Sequence, residues 1–156
     1  MKNMDKITNE KNTTKKVAFT ATVHCLTGCA IGEILGMVIG SILNLHNFAA
    51  IALSIVLAFI FGYSFTLIPL LKHFNLPRAL SLAFASDTVS ISVMEIVDNA
   101  IVFFIPGALD ANLNTFLFWG SLIFSLIVAF ITALPVNYYL IIKGKGHAVI
   151  HHNHHH

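Results

Sequence analysis

Residues 17–43 read VAFTATVHCLTGCAIGEILGMVIGSIL. Such a stretch is either a leader removed after export or a helix kept in a membrane, and that choice decides the fold. The run is longer than the roughly 7–15 apolar residues of a leader, and it lacks an A-x-A-like exit. It also carries His24, Cys25, Cys29 and Glu33 in its interior. It is predicted to remain as a spanning helix.

The rest of the chain agrees. Hydrophobic residues make up 56% and charged residues only 10%, against about 25% charged in soluble domains. Crossing about 30 Å of hydrocarbon takes about 20 apolar residues. Four runs qualify, at about 17–43, 48–71, 79–105 and 115–142. NLHN at 44–47, KHFNLPR at 72–78 and PGALDANLN at 106–114 separate them. The predicted fold is all-α: a polytopic membrane protein with a single four-transmembrane-helix bundle over 17–142. Residues 1–16 are predicted to be a polar, flexible tail at the membrane surface, and residues 143–156 a histidine-rich tail.

Charge predicts topology. Lys2, Lys6, Lys11, Lys15 and Lys16 precede the first helix, Lys72 and Arg78 lie between the second and third, and Lys143 and Lys145 follow the fourth. All nine basic residues therefore fall on one side, which the positive-inside rule makes cytoplasmic. Both termini are expected there. The net charge of +2 belongs to lipid-facing ends, so the expected partner is the bilayer and not nucleic acid.

In the first helix the unusual residues share one half of the surface at about 100° per residue. Gly28, Gly32, Gly36 and Gly40 recur every four residues. Each glycine costs about 1 kcal/mol relative to alanine in a helix interior, and close helix approach is the usual compensation in membranes. The seam packs either within the bundle or between protomers, and a homo-oligomer is expected. Cys25, Cys29 and Glu33 follow at i, i+4 and i+8 and stack along one stripe. A disulfide is not expected in the cytoplasmic half, and the spacing is not CxxC. Two thiols beside the His24 imidazole suit Cu(I) or Zn(II), or the cysteines are small packing residues.

The third run, ALSLAFASDTVSISVMEIVDNAIVFFIP, groups Asp87, Met94, Glu95 and Asp98 on about one third of its surface. A carboxylate costs about 2.5–3.5 kcal/mol on insertion scales, and such residues face a bundle interior and mark ion paths. The first and third helices run the same way, so depths compare directly. Two levels about 12–16 Å apart are predicted where these faces meet. One holds His24, Cys25, Cys29 and Asp87; the other holds Glu33, Met94, Glu95 and Asp98. The second and fourth helices offer little beyond Ser54, Tyr63, Ser64, Thr66 and Asn137. The chain ends GKGHAVIHHNHHH, in which His147, His151, His152, His154, His155 and His156 form either a native Zn, Ni or Cu capture tail or an engineered end.

The block TVHCLTGCAIGEILG at 22–36, the four helices and the GKGHAV segment resemble an uncharacterised bacterial integral-membrane family, domain of unknown function 4396. The resemblance implies a multi-pass protein of the bacterial inner membrane and no particular activity. More loosely, the cysteine pair looks like that of small mercury-uptake proteins, although a second pair is missing. The leading expectation is a small transporter or channel-like protein for a transition-metal cation, Cu(I) or Zn(II). The alternative is a proton- or cation-conducting oligomeric pore assembled through the glycine seam, with the cysteines only packing. No enzyme is expected: His24 is the sole histidine within a predicted helix, so bis-histidine haem would need two protomers.

Overall fold

The computed structural model describes the backbone of residues 2–143 and the side chains of residues 12–143. It contains four helices: α1 (Lys2–Ile42), α2 (Asn47–Leu70), α3 (Leu76–Phe104) and α4 (Phe116–Ile142). All four are long and apolar enough to cross a membrane. The tail histidines His147 to His156 lie outside the described residues.

One boundary moved substantially. The polar segment expected to be flexible continues α1 back to Lys2. Lysine, glutamate and methionine are good helix formers, and no glycine or proline interrupts the chain before Gly28. The resulting helix is roughly 60 Å long at 1.5 Å per residue, about twice the hydrocarbon thickness. α3 also starts earlier than expected. Asn75 stands at its N-cap position without a side-chain capping bond, and Pro77 occupies its first turn, where the missing N–H is harmless. At the other end of α1, Asn44 takes φ 51° and Leu45 N donates to Gly40 O at 2.8 Å. This closes the helix with a left-handed residue.

The packing is inverted relative to a soluble bundle. Phe116, Phe104, Ile96 and Ile131 are exposed on the outside, while Thr22, Ser54, Asp87, Ser90, Ser125 and Asn137 are buried inside. Apolar exteriors of this kind are solvated by lipid, and the interior is held by close contact and hydrogen bonds. α1 meets α2, α3 and α4, whereas α2 and α4 do not meet among the described residues. The bundle is thus a flattened ring with α1 and α3 across its short diagonal.

The glycine seam closes within one chain. Gly28 lies against Gly62, Gly32 against Ala58, Gly36 against Ser54 and Gly40 against Ala50. A methyl group on Gly28 would sit 2.5 Å from Gly62 Cα, so the two backbones leave no room for one. Assembly of an oligomer through this seam is therefore corrected: its surface is already covered by α2. Ser121, Ser125, Ala129, Ala133 and Asn137 form a buried stripe at the same spacing on α4. These two stripes bring α1 and α3 close enough for their polar faces to touch.

Candidate functional site

Along the α1–α3 diagonal, residues four apart on α1 meet successive polar residues of α3. Near the end of the bundle where α1 enters and α4 leaves, Cys25 lies beside Ser90 and Asp87. Further along, the Cys29 thiol lies against Glu95. Deeper again, the Glu33 carboxyl faces that of Asp98, and Ser125 from α4 flanks Asp98. Seven of the eight residues singled out as ligands are buried: Cys25, Cys29, Glu33, Asp87, Met94, Glu95 and Asp98. They form a continuous ladder instead of two separate levels, because Cys29 and Glu95 bridge the interval.

His24 is not brought to this ladder. It is exposed on the far side of α1, with its ring 6.3 Å from that of Phe65 and Nδ1 3.3 Å from Thr20 O. One residue along a helix is a turn of about 100°, which carries His24 away from Cys25. Both cysteines pack in an apolar cluster with Ala58, Ile91, Met94, Ala129 and Ala133. Among the described residues no three His, Cys, Asp or Glu side chains are gathered so as to hold a metal ion. The donors for a soft-metal shell are thus dispersed along the helix.

The two ends of the ladder differ. At the end carrying the α1 and α4 termini of the bundle, Asn137 donates to Thr22 Oγ1 and to Ser90 Oγ, each at 2.9 Å. Thr22 in turn donates to Ala18 O at 2.7 Å. Both amide hydrogens are used, three helices are tied together, and every member is buried. Ser86 Oγ, 2.8 Å from Asp87 Oδ1, adds a local donor. This end is a closed hydrogen-bonded plug.

Residues 14–146 match the family model of a domain of unknown function, DUF4396. The chain belongs to the DUF4396 family. No curated protein and no solved structure matches it. In this DUF4396 member, the TVHCLTGCAIGEILG block lies within α1 and contributes Thr22 to the plug, Cys25 and Cys29 to the core and Glu33 to the ladder's deepest rung.

The opposite end is open. A vestibule of about 350 Å³, lined by Ser41, Asn44, Asn47, Asp110 and Asn112 among others, lies between the α1–α2 and α3–α4 connections. Through Met37, Asn47, Ala50 and Phe118 it adjoins a chamber of about 70 Å³ whose walls include Glu33, Ser54, Asp98, Asn99 and Ser121. Asn47 Nδ2 donates to Asp110 Oδ1 at 2.7 Å across the mouth. Glu33 Oε1 and Oε2, Glu95 Oε1 and Oε2 and Asp98 Oδ1 are buried without a hydrogen-bond partner among the described residues.

The serines of α2 and α4 were the residues that sequence reasoning missed. Their signal was spacing. Ala50, Ser54, Ala58 and Gly62 repeat every four residues, as do Ser121, Ser125, Ala129 and Ala133, matching the glycines of α1.

Proposed function

We propose that this protein moves a small inorganic cation across the membrane along the α1–α3 ladder, with Glu33 and Asp98 as the binding station. The observation that carries this is the Glu33–Asp98 pair at the floor of an open-ended chamber, with buried carboxyl oxygens that lack donors. Buried charges persist only when paired or bound to a cation, and intramembrane carboxylates mark ion paths. A single bundle is the proposed unit, since the glycine seam is covered from within.

The orientation follows from charge. Lys15, Lys16 and Lys143 lie at the plugged end and Asp110 at the open one. With the positive-inside rule, the plug and both tails face the cytoplasm, and the vestibule faces outward from a bacterial inner membrane. The transition-metal reading requires His24, Cys25 and Cys29 to act together, and the packing of α1 disfavours it.

Proteoliposomes given gradients of H⁺, Na⁺, K⁺, Mn²⁺ or Cu⁺ in turn, with dyes trapped inside, test the proposal. Flux above that of protein-free vesicles is expected for at least one cation. Glu33→Gln and Asp98→Asn should each abolish it, while the Cys25→Ser/Cys29→Ser double variant keeps it. Flux lost with the cysteines and confined to Cu⁺ would replace this reading with the soft-metal one. Absence of flux with every cation would end it.

A further inference from the structure

The chamber is richer in acceptors than in donors. The Ser54 hydroxyl is directed to Glu33 O at 3.3 Å and that of Ser121 to Phe118 O at 2.9 Å. The Asn99 amide donates to Glu95 O at 2.9 Å. The two serine hydroxyls therefore turn lone pairs toward the cavity, added to the carboxyls of Glu33 and Asp98, while the Asn99 amide keeps one N–H beside its own carbonyl oxygen. No lysine, arginine or histidine lines it. An anion meets two carboxyls and no basic side chain; a cation finds oxygen on several sides.

Charge, donor type and space narrow the class. Ionised together, the two carboxylates would carry two negative charges, which a divalent ion neutralises and a monovalent ion leaves half uncompensated. The carboxyl and hydroxyl oxygens suit hard ions, and the chamber walls carry no thiol and no imidazole, the one sulfur there being the Met37 thioether. A dedicated Ca²⁺ site needs about 6–8 oxygen ligands, but Mg²⁺ is held by one or two carboxylates and retains several waters. At roughly 10–15 Å³ for each water, a chamber of about 70 Å³ has room for a partly hydrated ion. Glu33 is 3% exposed and Asp98 4% exposed, so the ion's charge is felt with little screening.

We infer that the Glu33–Asp98 chamber is a binding site for a partly hydrated hard divalent cation, Mg²⁺ or Mn²⁺, loaded from the vestibule end. This rests on the reading of that pair as the cation station and names its ligand. Manganese is the probe. The electron paramagnetic resonance signal of free Mn²⁺ is titrated against the full-length protein in detergent, with excess Mg²⁺ added afterwards. One Mg²⁺-displaceable Mn²⁺ per chain is expected. Displacement by Mg²⁺ separates this site from binding by the histidine tail. Glu33→Gln and Asp98→Asn should each weaken the displaceable binding at least tenfold, and Cys25→Ser/Cys29→Ser should leave it unchanged.

Both carboxyl variants keep side-chain shape and remove a buried charge. Their elution profile and melting curve show whether they fold. A second measurement needs no variant: Mg²⁺ should raise the melting temperature of the wild-type protein in proportion to the logarithm of its concentration, because it binds the folded state. Wild-type protein with no displaceable Mn²⁺, or with equal binding in folded Glu33→Gln, overturns the inference. Displaceable Mn²⁺ without flux in vesicles keeps the site and overturns translocation. Flux without displaceable Mn²⁺ does the reverse.

Discussion

Glu33 on α1 and Asp98 on α3 face each other carboxyl to carboxyl, in a chamber that no basic side chain lines. No basic side chain relieves the repulsion between them when both are ionised. Changing Glu33 to glutamine replaces that repulsion with an amide that donates to Asp98. Hydrogen bonds to charged groups contribute about 1.5–3 kcal/mol. In buffer stripped of cations, Glu33→Gln is therefore expected to unfold later than wild type, by a margin of that order, while losing flux. Melting followed by circular dichroism in detergent is the check. An earlier transition would assign the pair a structural role.

The α1–α2 seam separates glycines that matter from one that does not. A methyl group on Gly32 would strike the backbone of Ala58, whereas one on Gly120 would meet only the Phe116 ring, at 3.7 Å. Overpacking costs about 1–3 kcal/mol, while removing a helical glycine returns about 1 kcal/mol. Gly32→Ala should destabilise the bundle and Gly120→Ala should be neutral or stabilising. Denaturant titration of both variants settles the order. Equal effects would show that α1 and α2 are not in backbone contact.

What was legible in the sequence follows from these contacts. Membrane hydrocarbon imposes length and apolarity on every span, so the four helices were readable, with every end but the start of α1 placed to within a few residues. The polar segment before residue 17 was expected as a flexible tail from its low apolarity; it contains no glycine or proline, and α1 runs through it from Lys2. The α1 and α3 polar faces could be matched because parallel helices share a depth scale. Position around the axis was harder. His24 sits next to Cys25 in sequence, yet a turn of about 100° per residue points them at different surroundings. Ser54 and Ser121 were invisible as site residues since a serine in a span is usually bonded to its own backbone. Only a second helix at close range makes its remaining lone pairs part of a cavity.

The plug makes a prediction about the thiols. Cys25 and Cys29 are each 1% exposed, and Asn137 bonded to Thr22 and Ser90 covers them from the plugged end. Maleimide should label neither cysteine in folded wild-type protein over a time that labels denatured protein completely. Asn137→Ala removes both bonds, each worth about 0.6 kcal/mol in a membrane interior, and leaves a gap. Cys25 should then react at least several-fold faster, with Cys29 lagging because it lies deeper. Mass spectrometry of labelled peptides reads both rates. Unchanged protection of Cys25 would place the seal elsewhere.

At the other end, Asp110 holds Asn47 across the vestibule mouth, and both residues are exposed. Asp110→Cys in the Cys25→Ser/Cys29→Ser background puts one reactive thiol outside the membrane core at that mouth. A membrane-impermeant, positively charged thiosulfonate added outside the vesicles would then leave a fixed cation on the access route. Fixed positive charge repels an incoming cation over about 10 Å at 0.1 M salt. Flux from the outside should fall several-fold and recover on adding a reductant, with inhibition weaker at high ionic strength. The same reagent trapped inside vesicles of uniform orientation should do nothing. Inhibition from the inside alone would invert the topology, and modification without effect would mean that cations do not enter between Asn47 and Asp110.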